Sequence, residues 1–289
     1  MELEVEVMSR EIVQPSSPTP DRLRHYQLSF LDQIAPQVYM PFILFYPEIC
    51  VTEANKIKAS HHLKESISKA LTYFYPLAGR IRSRSSDNPF VDCNDEGIPF
   101  VKAKVKCQIS DVIKDPIPLE LNKLLPFINI YDAVELPLGI QFNVFECGGI
   151  GVGVCMSHIV GDALSLVAFV NTWAAIARGE KELVLPEFAS ASLFPPRIRP
   201  GYNPNIPASI PQSIKKLRYR RLVFTASKIE EIRGKYADNS SSNNPKLPTR
   251  VEALSAFIWS RFAASTEDED MAKFECDEEL LAYIAPKAY

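Results

Sequence analysis

Three observations predict an α/β fold. Ile150, Val152, Val154 and Met156 alternate with Gly151, Gly153, Cys155 and Ser157, the period of a strand with one bulky and one small face. Immediately afterwards Leu164, Val167, Val170, Trp173, Ala174 and Ala177 recur at helical spacing and stop at Arg178-Gly179. The same succession occurs earlier. Val38–Tyr46 reads as a strand with its proline near the start, and Leu63, Ile67, Ala70, Leu71 and Phe74 then form the apolar face of an amphipathic helix.

The elements follow in order. Residues 3–14 alternate weakly and run into Pro15-Ser16-Ser17-Pro18-Thr19-Pro20, an edge strand leaving into an extended turn. Leu28–Asp32 opens the next stretch. The first helix is expected to start near Ser60, with His61 and His62 solvated on its first turn, and to stop at Tyr75–Arg80, where Pro76 removes a donor and Gly79 permits a tight turn. Phe90–Val101 reads as a hairpin around an Asn/Asp/Gly turn; its acidic tip lacks the ligand periodicity of a calcium loop. Residues 140–147 alternate and form a second hairpin with the glycine-rich strand through Gly148-Gly149.

That second hairpin delivers Ser157-His158-Ile159-Val160-Gly161-Asp162 to a strand-to-helix junction, where α/β domains commonly expose reactive side chains. Two readings stand side by side. In one, Asp162 caps the helix and His158 is a hydrogen-bonded junction histidine. In the other, His158 is a general base, a task suited to the one side chain that ordinarily titrates near neutrality. Asp162 then fixes the local geometry, and Gly161 leaves space for a substrate beside the imidazole.

After Gly179 the texture changes. Between Pro186 and Pro211 there are seven prolines and no helical or strand period, as in an extended connection between two domains. Beyond it come a strand at 219–224, a helix at about 227–236 with Ser227–Glu230 as capping box, and a polar loop at 238–244. A helix opened by the capping box Thr249–Glu252 follows, with Val251, Leu254, Phe257, Ile258 and Phe262 inward, and then an acidic tail.

Composition excludes several classes. The chain of 289 residues is 46% hydrophobic and 23% charged with a net charge of −3, which argues against a nucleic-acid binder. The acidic start, Met1–Val7, is not a secretory signal, and no apolar run is long enough to cross a bilayer. Six cysteines without paired metal spacing read as reduced thiols of a cytoplasmic protein, and no metal site is expected.

In family order, Pro15–Pro20, Leu28–Asp32, Tyr75–Arg80, Val91–Phe100, Ser157–Ala163 and Thr249–Phe257 resemble the plant BAHD acyl-CoA-dependent acyltransferases. Among these they are most similar to alkaloid O-acetyltransferases of the vinorine synthase and salutaridinol acetyltransferase kind. The resemblance implies a two-domain fold of the chloramphenicol acetyltransferase type: an N-terminal domain at 1–185, a crossover loop at 186–213, and part of a second domain at 214–289. It implies His158 as catalytic base, with Asp162 and Gly161 as structural support; Asp162 would point away from substrate into an ion pair with an arginine. It also implies a monomer with no permanently bound cofactor, using acyl-CoA, acetyl-CoA above all, as co-substrate and a hydroxylated small molecule as acceptor. The coenzyme-binding residues are not identified. The family's Asp-Phe-Gly-Trp-Gly motif and an arginine beyond Arg261 are not found, so a C-terminally truncated member is expected. A catalytically inactive, ligand- or partner-binding product is the alternative.

Overall fold

The alternating segments of the sequence become strands of two sheets. The structure is a computed structural model, and it describes residues 2–47, 52–82, 89–127, 135–197, 222–237 and 247–265. These belong to two compact units, Met1–Leu217 and Arg218–Tyr289. In chain order the first unit contains β1 (Val5–Val13), β2 (His25–Gln27), α1 (Phe30–Ile34), β3 (Tyr39–Tyr46) and α2 (Glu53–Tyr73). There follow β4 (Arg80–Arg82), β5 (Phe90–Asp92), β6 (Ile98–Val105), α3 (Ile109–Lys114) and α4 (Pro118–Leu121). The last elements are β7 (Leu138–Phe145), β8 (Ile150–Ser157), α5 (Ala163–Ala177) and α6 (Ser190–Leu193).

Five strands form the main sheet in the order β1-β6-β7-β8-β3, with β6 and β7 parallel and the other neighbours antiparallel. β1 and β3 are its edges, so the missing donor of Pro41 in β3 is tolerated. The two faces of β8 explain its alternation. Ile150, Val152, Val154 and Met156 lie in the core beneath α2 and α5, with Ile67, Leu71, Phe74, Phe169 and Trp173. On the other face the chain crosses at Leu124 and Leu125, so close that a Cβ on Gly153 would lie 2.1 Å from the Leu124 carbonyl oxygen.

Two buried amides of β7 hold that crossing. Gln141 Nε2 donates to the Lys123 carbonyl (2.9 Å) and to Asn143 Oδ1 (2.8 Å), and Asn143 Nδ2 donates to the carbonyls of Leu124 (2.9 Å) and Gly151 (3.2 Å). A buried amide is stable only when its donors and acceptors are matched in this way.

Four sequence expectations for this unit are corrected. Phe90–Val101 is not a hairpin: β5 pairs with β2 and β4 in a separate three-stranded sheet, while β6 pairs with β1 and β7. The turn between them, with Asp95 in the left-handed region (φ 59°), passes the chain from one sheet to the other. α2 begins two turns before Ser60, capped by Thr52, whose side chain accepts from Asn55 N. α5 is rotated from its expected phase: Leu166, Phe169, Val170 and Trp173 are buried, while Leu164 is 78% exposed. The described part of the proline-rich stretch is not wholly extended, because Ser190–Leu193 form a turn of helix, α6.

The second unit contributes α7 (Ala226–Lys235) and α8 (Arg250–Ser265), packed together through buried Ile232 and Ala253. The cap of α7 is Thr225, accepting from Lys228 N, rather than Ser227; Glu230 is turned instead to Arg233. The Thr249–Glu252 capping box forms as expected, with both reciprocal bonds present. Of the apolar face read for α8, Val251, Ile258 and Phe262 are exposed and Leu254 and Phe257 half-buried. Of the strand expected at 219–224, residues 219–221 lie outside the described residues and Leu222–Phe224 are not in a strand. The loop at 238–244 and the acidic tail also lie outside them.

Candidate active site

β8 ends at Ser157, and the next four residues turn the chain into α5. Ser157 N donates to the Pro137 carbonyl (2.8 Å) and His158 N to the Val38 carbonyl (2.9 Å), so the junction is tied to the chain on both sides of β8. Val160 N closes a turn onto the Ser157 carbonyl (3.1 Å). Asp162 is the N-cap of α5: its Oδ1 accepts from Ser165 N and Ser165 Oγ, both at 2.8 Å. This satisfies an amide that the first helical turn leaves free.

His158 is half-buried, and its Nδ1 is buried without a hydrogen-bond partner among the described residues. Burial pushes the Asp162 carboxyl up, but the Ser165 hydrogen bonds and the nearby His158 outweigh it and leave it below the usual aspartate range. The ion pair with an arginine implied for Asp162 is not formed among the described residues. Gly161 is explained by packing: a Cβ there would lie 2.9 Å from Ser165 Cβ and 3.3 Å from Met156 Sδ. The three site residues read from the sequence are therefore brought together.

The sequence reading missed two contributors. Val38 acts through its backbone carbonyl, for which no side-chain signal exists. Asp32 belongs to a capping box at the start of α1, its Oδ2 accepting from Ser29 N and Ser29 Oγ (both 2.7 Å). Burial holds its carboxyl above the usual range despite these bonds, and the charge of Asp162 adds to the effect. The Ser29-x-x-Asp32 spacing was the available signal.

The remaining candidates have local roles. His61 lies 3.5 Å from Glu65, and His62 Nε2 is 2.7 Å from the Ala177 carbonyl; both are in the middle of α2 rather than on its first turn. Asp95 binds Thr19 and pairs with Arg24, and Glu96 pairs with Arg80, so the acidic turn ties down neighbouring chain. The Cys93 and Cys155 thiols are pushed up to about 12 by burial. Among the described residues no group of three His, Cys, Asp or Glu side chains is placed to hold a metal, and no helix is long and apolar enough to cross a membrane.

Comparison with known proteins gives this junction its context. The chain is 42% identical over 263 residues to vinorine synthase of Rauvolfia serpentina, covering 89% of this chain and 59% of the relative. It is 39% identical over 286 residues to stemmadenine O-acetyltransferase of Catharanthus roseus, covering 96% and 64%. It thus spans about three fifths of the length of these relatives. The crystal structure of vinorine synthase superposes with a TM-score of 0.72 at 37% identity, over 95% of this chain and 63% of that one. TRI101 of F. sporotrichioides, crystallised with coenzyme A and T-2, shares the fold at 19% identity, with a TM-score of 0.59 over 84% and 61% of the two chains. The model of the Transferase family matches residues 3–282. The chain belongs to this family, the BAHD acyltransferases whose motifs its sequence carries.

Proposed function

We propose that this protein serves acyl-CoA-dependent O-acyl transfer, with His158 as general base and acetyl-CoA and a hydroxylated specialised metabolite, such as an alkaloid, as substrates. In this reading 1–185 is the first acyltransferase domain, 186–213 crosses between domains, and 214–289 begins the second. The observation that carries the reading is the imidazole of His158. A junction histidine serving only the fold would use its ring nitrogens in hydrogen bonds, and the buried Nδ1 makes none to the described residues. Two relatives whose names state acetyl transfer, stemmadenine O-acetyltransferase and salutaridinol 7-O-acetyltransferase of Papaver somniferum (36% identical), support the acyl group.

The chemistry needs little else. His158 takes the proton of the acceptor hydroxyl as its oxygen attacks the thioester carbonyl. The new C–O bond gives a tetrahedral oxyanion, which collapses with cleavage of the C–S bond. The proton held by the imidazole passes to the departing thiolate. The thioester is already activated, so one base and a held geometry suffice without an acyl-enzyme. Asp162 keeps its charge on the cap of α5, where it anchors the end of the loop that carries His158.

The test is thiol release by the purified 289-residue chain with acetyl-CoA and a hydroxylated indole alkaloid. Steady release is expected, falling by ~10²–10⁴-fold in His158→Ala with the circular dichroism spectrum unchanged. Release that survives His158→Ala refutes the base. Binding of acetyl-CoA without release refutes turnover by this chain and favours the ligand-binding alternative.

A further inference from the structure

We propose that Phe188 is a positioning residue for His158, closing the seat on which the two residues after the histidine rest. The inference rests on the acyltransferase reading of His158. The Phe188 ring meets Tyr75 edge-on with centroids 4.8 Å apart and Tyr26 at 5.5 Å. Both tyrosines pack against a small buried cluster of Leu28, Ile81, Val91, Cys93 and Ile159, which Val160 also touches. Ile159 and Val160 immediately follow the histidine, so their packing decides how the loop lies.

The segment bearing Phe188 is fixed rather than merely nearby. The Tyr26 hydroxyl and Ser190 Oγ are 3.1 Å apart, and Phe30 N donates to the Phe194 carbonyl at 2.9 Å. Arg197 N donates to Gln33 Oε1 at 3.0 Å, and its guanidinium lies 4.9 Å from the centroid of the Phe30 ring. The contacts of Phe30 and Gln33 lie on α1, whose chain continues to Val38, the acceptor of the His158 amide. The histidine loop is thus braced through its backbone by Val38 and through its side chains by the cluster on which the two tyrosines that meet Phe188 are packed. Removing the ring leaves the tyrosines and Ile159 free to relax, and a displacement of ~1 Å at a reacting group is enough to lower a rate by orders of magnitude.

The test compares Phe188→Ala, Phe188→Leu and a control, Val112→Ala, which loosens the cluster on the opposite face of the sheet. The chain has four histidines, so the ring resonances of His158 are assignable by their loss in His158→Gln. In Phe188→Ala those resonances should move and amide exchange at 158–161 should quicken, while β7 and β8 stay protected. Phe188→Leu should restore both in part, and Val112→Ala should move neither. In the thiol-release assay Phe188→Ala should lower kcat about tenfold or more with KM nearly unchanged. Unmoved His158 resonances, or an unchanged kcat, in a folded Phe188→Ala would overturn the proposal. A wild-type chain without turnover would instead defeat the acyltransferase reading and leave the resonance experiment to decide on Phe188.

Discussion

At Asp162 and Asp32 two neighbouring carboxylates respond to pH in opposite senses. Asp162 is held low, so its contribution to stability is full above the ordinary aspartate value near 4 and is lost as pH falls through its lowered native value. Asp32 is held high by burial, so its contribution is intact below that ordinary value and is lost as pH rises through its raised native value. Above about pH 4 the melting temperature should accordingly fall off less with rising pH in Asp32→Asn than in the wild type, and below it less with falling pH in Asp162→Asn. Parallel curves for all three proteins would mean that the two charges do not feel the fold as described. Asp162→Ala should also lower stability by ~0.5–2 kcal/mol through loss of the cap. At this scale the placement of the candidate residues was largely legible: His158, Gly161 and Asp162 lie at the junction that the strand and helix periods locate. Val38 was not legible, because its part is played by a main-chain carbonyl brought in from the residue just before β3.

Among the elements, the β7–β8 hairpin was readable from its alternation, but its register was not: β7 ends at Phe145 rather than at 147, and Val144 rather than Cys147 lies opposite Ile150. α5 was not, since Leu164, Leu166, Val167, Phe169, Val170 and Trp173 leave it apolar on more than one side and its period fits two rotations. The observed rotation has a measurable consequence. Phe169 is fully buried against Phe74 (5.2 Å between centroids), so Phe169→Ala should cost ~3–5 kcal/mol in denaturant melts. Leu164→Ala should stay within ~0.5 kcal/mol. The reverse ranking would restore the phase expected from sequence. Phe90–Val101 misled for another reason: a two-strand pattern with a turn between gives no sign that its strands serve different sheets. Only the partners of β5 and β6, far away in the chain, decide that.

For the molecule as a whole, the sheet order carries a constraint on time as well as space. The strands at the centre, β7 and β8, are the last of the five to be synthesised, and the edges β1 and β3 are among the first. On a ribosome β1 has no partner until β6 emerges. β3 waits longer, because its pairs run from Tyr46↔Ile150 to Tyr39↔Ser157, more than a hundred positions apart. Pairings that distant form slowly, whereas the β7–β8 hairpin closes locally in microseconds. Pulsed amide exchange during refolding should therefore protect 138–157 before 39–46; early protection of β3 would contradict this order. In the cell the nascent chain must carry Phe42, Leu44 and their neighbours unpaired through the translation of β4 to β7. Its exposure to chaperones or to aggregation ends only when the strand that delivers His158 leaves the exit tunnel.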